Sequence, residues 1–146
     1  LLIVLVSSGM ISSCKSSRDK KQKIKTEKSL HGSWELNYIT AEEDLFSFEE
    51  LYPGQKPTIV FNVQENQFSG NTSCNNFNGE LKLNGNKIDF TDPFGMTRML
   101  CDGQGEAKFL EVLKKVNGYS VSEGNTLALL SGDIAIMRFK RKVKED

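Results

Sequence analysis

Between residues 30 and 142, apolar and polar positions alternate in short runs separated by clusters of Gly, Asn, Asp and Ser. That spacing predicts strands joined by tight turns. In GSWELNYIT (32–40), Trp34, Leu36 and Tyr38 alternate with Ser33, Glu35 and Asn37, the mark of a half-buried strand. TIVFNV (58–63) and FSGNTS (68–73) predict two more, joined around Glu65-Asn66. ELKLNGNKIDF (80–90) predicts a hairpin. Leu81 and Leu83 alternate with polar neighbours, Asn84-Gly85-Asn86 tolerates positive φ, and Ile88 and Phe90 return. YSVS (119–122), TLALLS (126–131) and IAIMRFKRK (134–142) come next, with turns at EGN and GD. In the last run Ile134, Ile136 and Arg138 face one way and Ala135, Met137 and Phe139 the other, so no single buried face emerges.

Two segments have a longer period. GEAKFLEVLKKVNG (105–118) places Phe109, Leu110, Leu113 and Val116 along one side of a helix that Asn117-Gly118 stops. AEEDLFSFEELYPG (41–54) spaces Leu45, Phe48 and Leu51 by three, which suits either a short helix or an ordered loop ending at Pro53-Gly54. Roughly eight short strands close together in sequence favour antiparallel pairing. The expected fold is mainly β with one α-helix: a small, curled, barrel-like antiparallel sheet closed by that helix.

The first 29 residues have another pattern. LLIVLVSSGMISSC begins with an apolar run, Leu1–Val6, too short to span a bilayer but suited to the core of a secretory signal. Residues 1–13 therefore read as a signal peptide entered partway. Ile11-Ser12-Ser13-Cys14 resembles the bacterial lipobox, and the resemblance implies cleavage before Cys14 and lipid attachment to its sulfur. Residues 14–29 hold seven basic residues against Asp19 and Glu27, with Ile24 the lone aliphatic residue. So few apolar groups predict a flexible basic tether, with a reach of about 20 Å. Its lysines also suit anionic headgroups. Without interleaved aromatic rings it does not suit nucleic acid. The sequence reads as a domain at 30–142 and a tail at 143–146. Lys15, where the enterobacterial inner-membrane retention signal has Asp, points to the outer membrane, facing the periplasm.

Candidate chemistry is sparse. There is no GxSxG elbow, P-loop or GxGxxG, and His31 is the single imidazole, which leaves serine triads and histidine metal sites incomplete. Glu42, Glu43, Asp44, Glu49 and Glu50 could supply paired carboxylates for a hydrolase, but they read better as a charged, solvated face. Asp92 and Asp102 read as turn formers. Met96 and Met99 read as core filler sooner than as soft-metal ligands. Setting Cys14 aside leaves Cys74 and Cys101, an even number in an oxidising compartment, which predicts a disulfide. A pair of buried reduced thiols is the alternative. A covalent tie would hold the turn-rich GNTSCNNFNG against TRMLCDG.

Gly70, Cys74-Asn75, Phe77 and Gly79, then Met96-Thr97-Arg98-Met99-Leu100-Cys101, then Glu106, Phe109, Leu110, Leu113 and Tyr119 resemble the META domain, the HslJ-like family. Trp34 in its strand is also similar, and the likeness spans 32–140. It implies a compact β-rich domain of secreted or envelope proteins, associated with heat induction and antibiotic tolerance, with no agreed biochemical activity. The expectation is thus a monomeric, non-enzymatic envelope lipoprotein without cofactor or metal. Its role would be binding or scaffolding in stress tolerance, towards an envelope protein. Its binding surface would comprise Asn71, Asn75, Asn76, Asn78, Phe94, Thr97 and Arg98. The alternatives are an inhibitor of an exported protease or lysozyme, and an acidic-residue hydrolase.

Overall fold

In the computed structural model, which describes residues 15–40 and 46–143, ten strands share one antiparallel sheet. Cys14, the signal segment, Glu42, Glu43, Asp44 and Leu45 lie outside the described residues. In chain order the elements are α1 (Lys15–Leu30), β1 (Gly32–Ile39), α2 (Phe48–Leu51), β2 (Thr58–Asn62), β3 (Gln67–Asn71), β4 (Asn76–Glu80), β5 (Leu83–Asn84), β6 (Lys87–Ile88), β7 (Gly95–Met96), α3 (Gly105–Leu113), β8 (Gly118–Ser122), β9 (Thr126–Ser131) and β10 (Ile134–Arg141). The strands run β5-β6-β8-β9-β10-β1-β2-β3-β4-β7 across a half-barrel. Every pairing is antiparallel, as short turns between successive strands require. The expected curled sheet is therefore observed.

Trp34, Leu36, Ile59, Phe61, Leu127, Leu129, Met137 and Phe139 fill the core without exposure, and α3 adds Phe109, Val112 and Leu113 to it. Phe77 links the two, its ring centroid 5.8 Å from that of Phe109. The sheet needs close backbone approach at Gly70, where a Cβ would collide with the Thr58 carbonyl and the Phe77 ring. In the β5–β6 turn Gly85 adopts φ 63°, as the Asn-Gly-Asn reading required.

Two bulges explain where the alternation misleads. Pairing of β1 with β10 slips between Leu36 and Tyr38, inserting Asn37 and reversing the phase beyond it. Tyr38, expected inside with Trp34 and Leu36, is instead 41% exposed beneath the Arg138 guanidinium, and Ile39 takes the inner place. Pairing of β10 with β9 slips between Ala135 and Met137, so Ile136 and Met137 are both buried in succession. That is why the last strand showed no clean face.

Residues 15–29, expected to belong to a flexible tether at 14–29, form a helix with Leu30. Lys, Arg, Gln and Glu are good helix formers, and the C-terminal half is anchored. Leu30 is fully buried, and its carbonyl accepts from Trp34 Nε1 at 2.9 Å. Lys23 Nζ donates to Asn84 Oδ1 at 3.0 Å, and the Glu27 carboxylate accepts from Gly85 N at 2.9 Å. Arg141 stacks over Trp34 and donates to the carbonyls of Ser29 and His31. The folded unit thus starts inside the helix, ahead of residue 30. No helix among the described residues is long and apolar enough to cross a membrane.

The second longer-period segment resolves as the short helix α2. Ser47 and Glu50 form a reciprocal capping box at its start. Glu49 is exposed, and the Glu50 carboxylate is engaged as the cap of this helix. Tyr52 then donates its hydroxyl to the Gly105 carbonyl at 3.0 Å, tying α2 to the start of α3. In α3, Val112 replaces the expected Leu110 as a fully buried position, and Leu110 is half-buried. Burial, assisted by the Glu27 charge, pushes the Tyr119 hydroxyl up to about 12.

Candidate functional site

The turn between β3 and β4 organises the corner that the sequence singled out. Asn71 Oδ1 accepts from Ser73 N at 2.8 Å, and Thr72 Oγ1 accepts from Asn75 N at 3.0 Å, so side chains close the turn locally. Ser73 takes φ 86° within it. Beyond Asn75 the turn gives way to strand: NNFNG, read as part of a corner, lies largely in β4, with Phe77 buried and Asn76 and Asn78 exposed. The polar asparagines hid a period of two whose inner members are Phe77 and the small Gly79.

Cys74 in this turn is bonded to Cys101, with Cα atoms 6.0 Å apart. Beside the bond lies Asn75, 1% exposed. Its Oδ1 accepts from Met99 N at 2.7 Å and from Thr97 Oγ1 at 2.9 Å. Its Nδ2 faces Met99 O at 3.1 Å, the Glu106 carboxylate at 2.9 Å and Cys101 Sγ at 3.2 Å. Two N–H groups cannot fully serve three acceptors, so the carbonyl and the carboxylate, the stronger acceptors, take them. Glu106 also accepts from Thr72 Oγ1. It sits in the first turn of α3, where the helix end favours a negative charge. Thr72 and Asn75 are the buried polar side chains among the described residues, and both are spent on this corner. A buried amide reading both the N–H and the C=O of Met99 fixes the backbone of the 97–101 loop as a strand partner would.

The loop so fixed is unusually exposed at its tip. Leu100 is 99% exposed and Met99 61%, while Thr97 and Arg98 are also exposed. Met99 is therefore not core filler, and Met96 is half-buried at the edge of the sheet. Two of the expected surface residues need correction. Asn75 faces inward and organises the corner. Phe94 is half-buried between Phe68 and Phe77, at centroid distances of 5.7 and 5.8 Å, because a ring next to two others gains more from packing than from water. Asn71 is half-buried and donates to Asn76 Oδ1 at 2.8 Å.

The remaining residues, Asn76, Asn78, Thr97 and Arg98, continue onto the outer face of β2, β3 and β4. Register places Asn62, Gln67 and Glu80 in one row across the strands, Val60, Ser69 and Asn78 in the next, and Thr58, Asn71 and Asn76 in a third. A shallow concavity of about 720 Å³ runs along the first two rows. Sequence reasoning missed Asn62, Gln67, Ser69 and Glu80 because they belong together by register, which no local pattern carries. It missed the role of Glu106 for a similar reason, although its place in a helical first turn was visible.

Cys74 Sγ, Cys101 Sγ and a Glu106 oxygen lie within 4.8 Å of one another. As a disulfide the sulfurs are not thiolates, so the trio acts as a clasp and not as a ligand set. His31 lies elsewhere, its Nδ1 accepting from Val63 N at 3.3 Å beside α1.

The fold and this corner define a small β-rich half-barrel domain clasped by one disulfide. The family model for the META domain matches residues 27–144, and the chain belongs to that family. The match begins within α1, consistent with the docking of Glu27 and Leu30. No curated protein matches. Two solved structures share the fold. A protein from Burkholderia xenovorans, solved by NMR, is 19% identical at a TM-score of 0.60, with 98% of this chain and all of that one covered. A DUF4847 family protein from Bacteroides vulgatus, solved by crystallography, is 15% identical at a TM-score of 0.52, with 80% of this chain and 96% of that one covered.

Proposed function

We propose that this META-domain chain is a non-enzymatic envelope lipoprotein that binds a partner through the outer face of β2–β4 and the adjoining 97–100 loop. The observation that supports it is the corner itself. Two buried polar side chains and a disulfide are spent on holding an exposed loop rigid beside a polar, amide-rich face that carries Glu80 at one end. Pre-organisation of this kind lowers the entropy cost of association. The amides and hydroxyls of Asn76, Asn78, Ser69 and Gln67 supply donors and acceptors without a strong charge preference. Anchoring is through Cys14, which the lipobox resemblance supports, in the outer membrane. Intact mass of the membrane-extracted protein should show two or three acyl chains at Cys14 and lose them in Cys14→Ser; an unmodified sulfur rules the anchor out.

A second reading is favoured by Leu100. An apolar side chain held almost fully exposed on a clasped loop suits insertion into the cleft of an exported hydrolase, as in an inhibitor. One capture experiment, from cross-linked envelopes, separates the two. The binding-face reading expects Asn78→Ala and Arg98→Ala to reduce partner recovery about tenfold, a loss of roughly 1.4 kcal/mol, with Lys140→Ala unchanged. The inhibitor reading expects the partner to be a hydrolase released by Leu100→Ser. Equal recovery by all variants contradicts both.

A further inference from the structure

Helix α1 docks by one side and presents a sorted array of charge on the other. With 3.6 residues per turn, Lys23, Glu27 and Leu30 share one side, and these residues make its contacts with the β5–β6 turn and the core. Asp19 falls close to the same side. Arg18, Lys21, Lys25 and Lys28 are spaced by three, four and three. They fall within an arc of about 80° directly opposite, along about 15 Å of helix axis. All four are exposed, and among the described residues none of the four joins an ion pair. The stripe thus lies opposite the docked side, where Glu27 is engaged by the β5–β6 turn, and its last member, Lys28, borders a hollow shared with His31 and Arg141.

We propose that this stripe is a docking surface for an anionic phospholipid bilayer. Lysines carry compact charges on flexible stems, which suit a diffuse array of headgroup phosphates better than a fixed bidentate acceptor. No aromatic residue lies among them to stack nucleobases. The helix would lie flat on the bilayer, between it and the β5–β6 edge of the sheet. A basic patch next to a lipidated residue is the second signal that turns weak attachment into stable attachment. The stripe does not depend on that lipid for its own attraction. It is also separate from the β2–β4 face, so failure of either proposal leaves the other standing.

The test uses the full chain carrying Cys14→Ser, made by cell-free synthesis so that no acyl chain is attached. Vesicles of phosphatidylcholine alone are compared with vesicles containing phosphatidylglycerol, by co-sedimentation. Binding to the anionic vesicles should be stronger, and the preference should fade as salt is raised. At about fivefold per cation, the variant Arg18→Gln, Lys21→Gln, Lys25→Gln, Lys28→Gln should lose on the order of a hundredfold or more. A control with Lys56, Lys87, Lys114 and Lys140 changed to Gln should keep the preference, and circular dichroism should show both variants folded. Binding of the apolar N-terminal run would appear equally in neutral vesicles and is subtracted by that comparison. Equal loss in the two variants overturns the proposal. So does equal binding to neutral and anionic vesicles, or retention of duplex DNA with no vesicle binding.

Discussion

Asn75→Ala should destabilise the domain by about 3 kcal/mol, more than any exposed asparagine replaced in the same strand. A buried hydrogen-bonding group left without its partner costs about 1–3 kcal/mol, and this substitution strands several at once. Met99 N–H and C=O both lose their side-chain partner, and the Glu106 carboxylate keeps only Thr72. Met99 and Glu106 are partly open to water, which recovers part of the loss and holds the figure below a simple sum. Asn76→Ala, which removes an exposed contact with Asn71, should cost under about 1 kcal/mol. Urea unfolding of the two variants checks this, as a change in midpoint with little change in slope. Equal midpoints would mean that the amide is not the organiser of the corner.

Removing the Cys74–Cys101 bond should cost a similar amount by a different route. The sequence separation is 27 residues, and closing such a loop removes about 3–4 kcal/mol of chain entropy from the unfolded state. Against a total stability of about 5–15 kcal/mol for a domain of this kind, the loss is large. Unfolding of the Cys74→Ser, Cys101→Ser protein, or of the wild type with reductant, measures it. The two effects should not add. Asn75 lies between the sulfur and the loop that the sulfur holds, so the triple variant should lose less than the sum, by a coupling of about 1 kcal/mol. Strict additivity would show that clasp and amide act independently.

Much of this architecture was legible from residue spacing. Strands with a clear period of two, at Trp34–Leu36 and Ile59–Phe61, lie where expected with those side chains buried. The stripe centred on Phe109 and Leu113 is the α3 helix, and the even pair of cysteines is joined. These features rest on interactions within a few residues, or on a simple count. The features that stayed hidden depended on pairing. The bulges at Asn37 and Ile136 exist only relative to a neighbouring strand. The strand β4 was disguised by asparagines on its outer positions. The helix at 15–30 carries almost no apolar side chains, so nothing in its composition declared that its last two turns would find a surface.

By itself the order of residues determined a β-rich domain, its main helix, its disulfide partners and the charge imbalance of its N-terminal segment, because each is written in local period or composition. Tertiary structure alone decided that Asn75 turns inward to hold a loop, that three strands line up an amide-rich polar face, and that Arg18, Lys21, Lys25 and Lys28 of α1 lie opposite its docked side. Those outcomes arise from register and packing between segments far apart in the chain, which a short-range pattern does not encode.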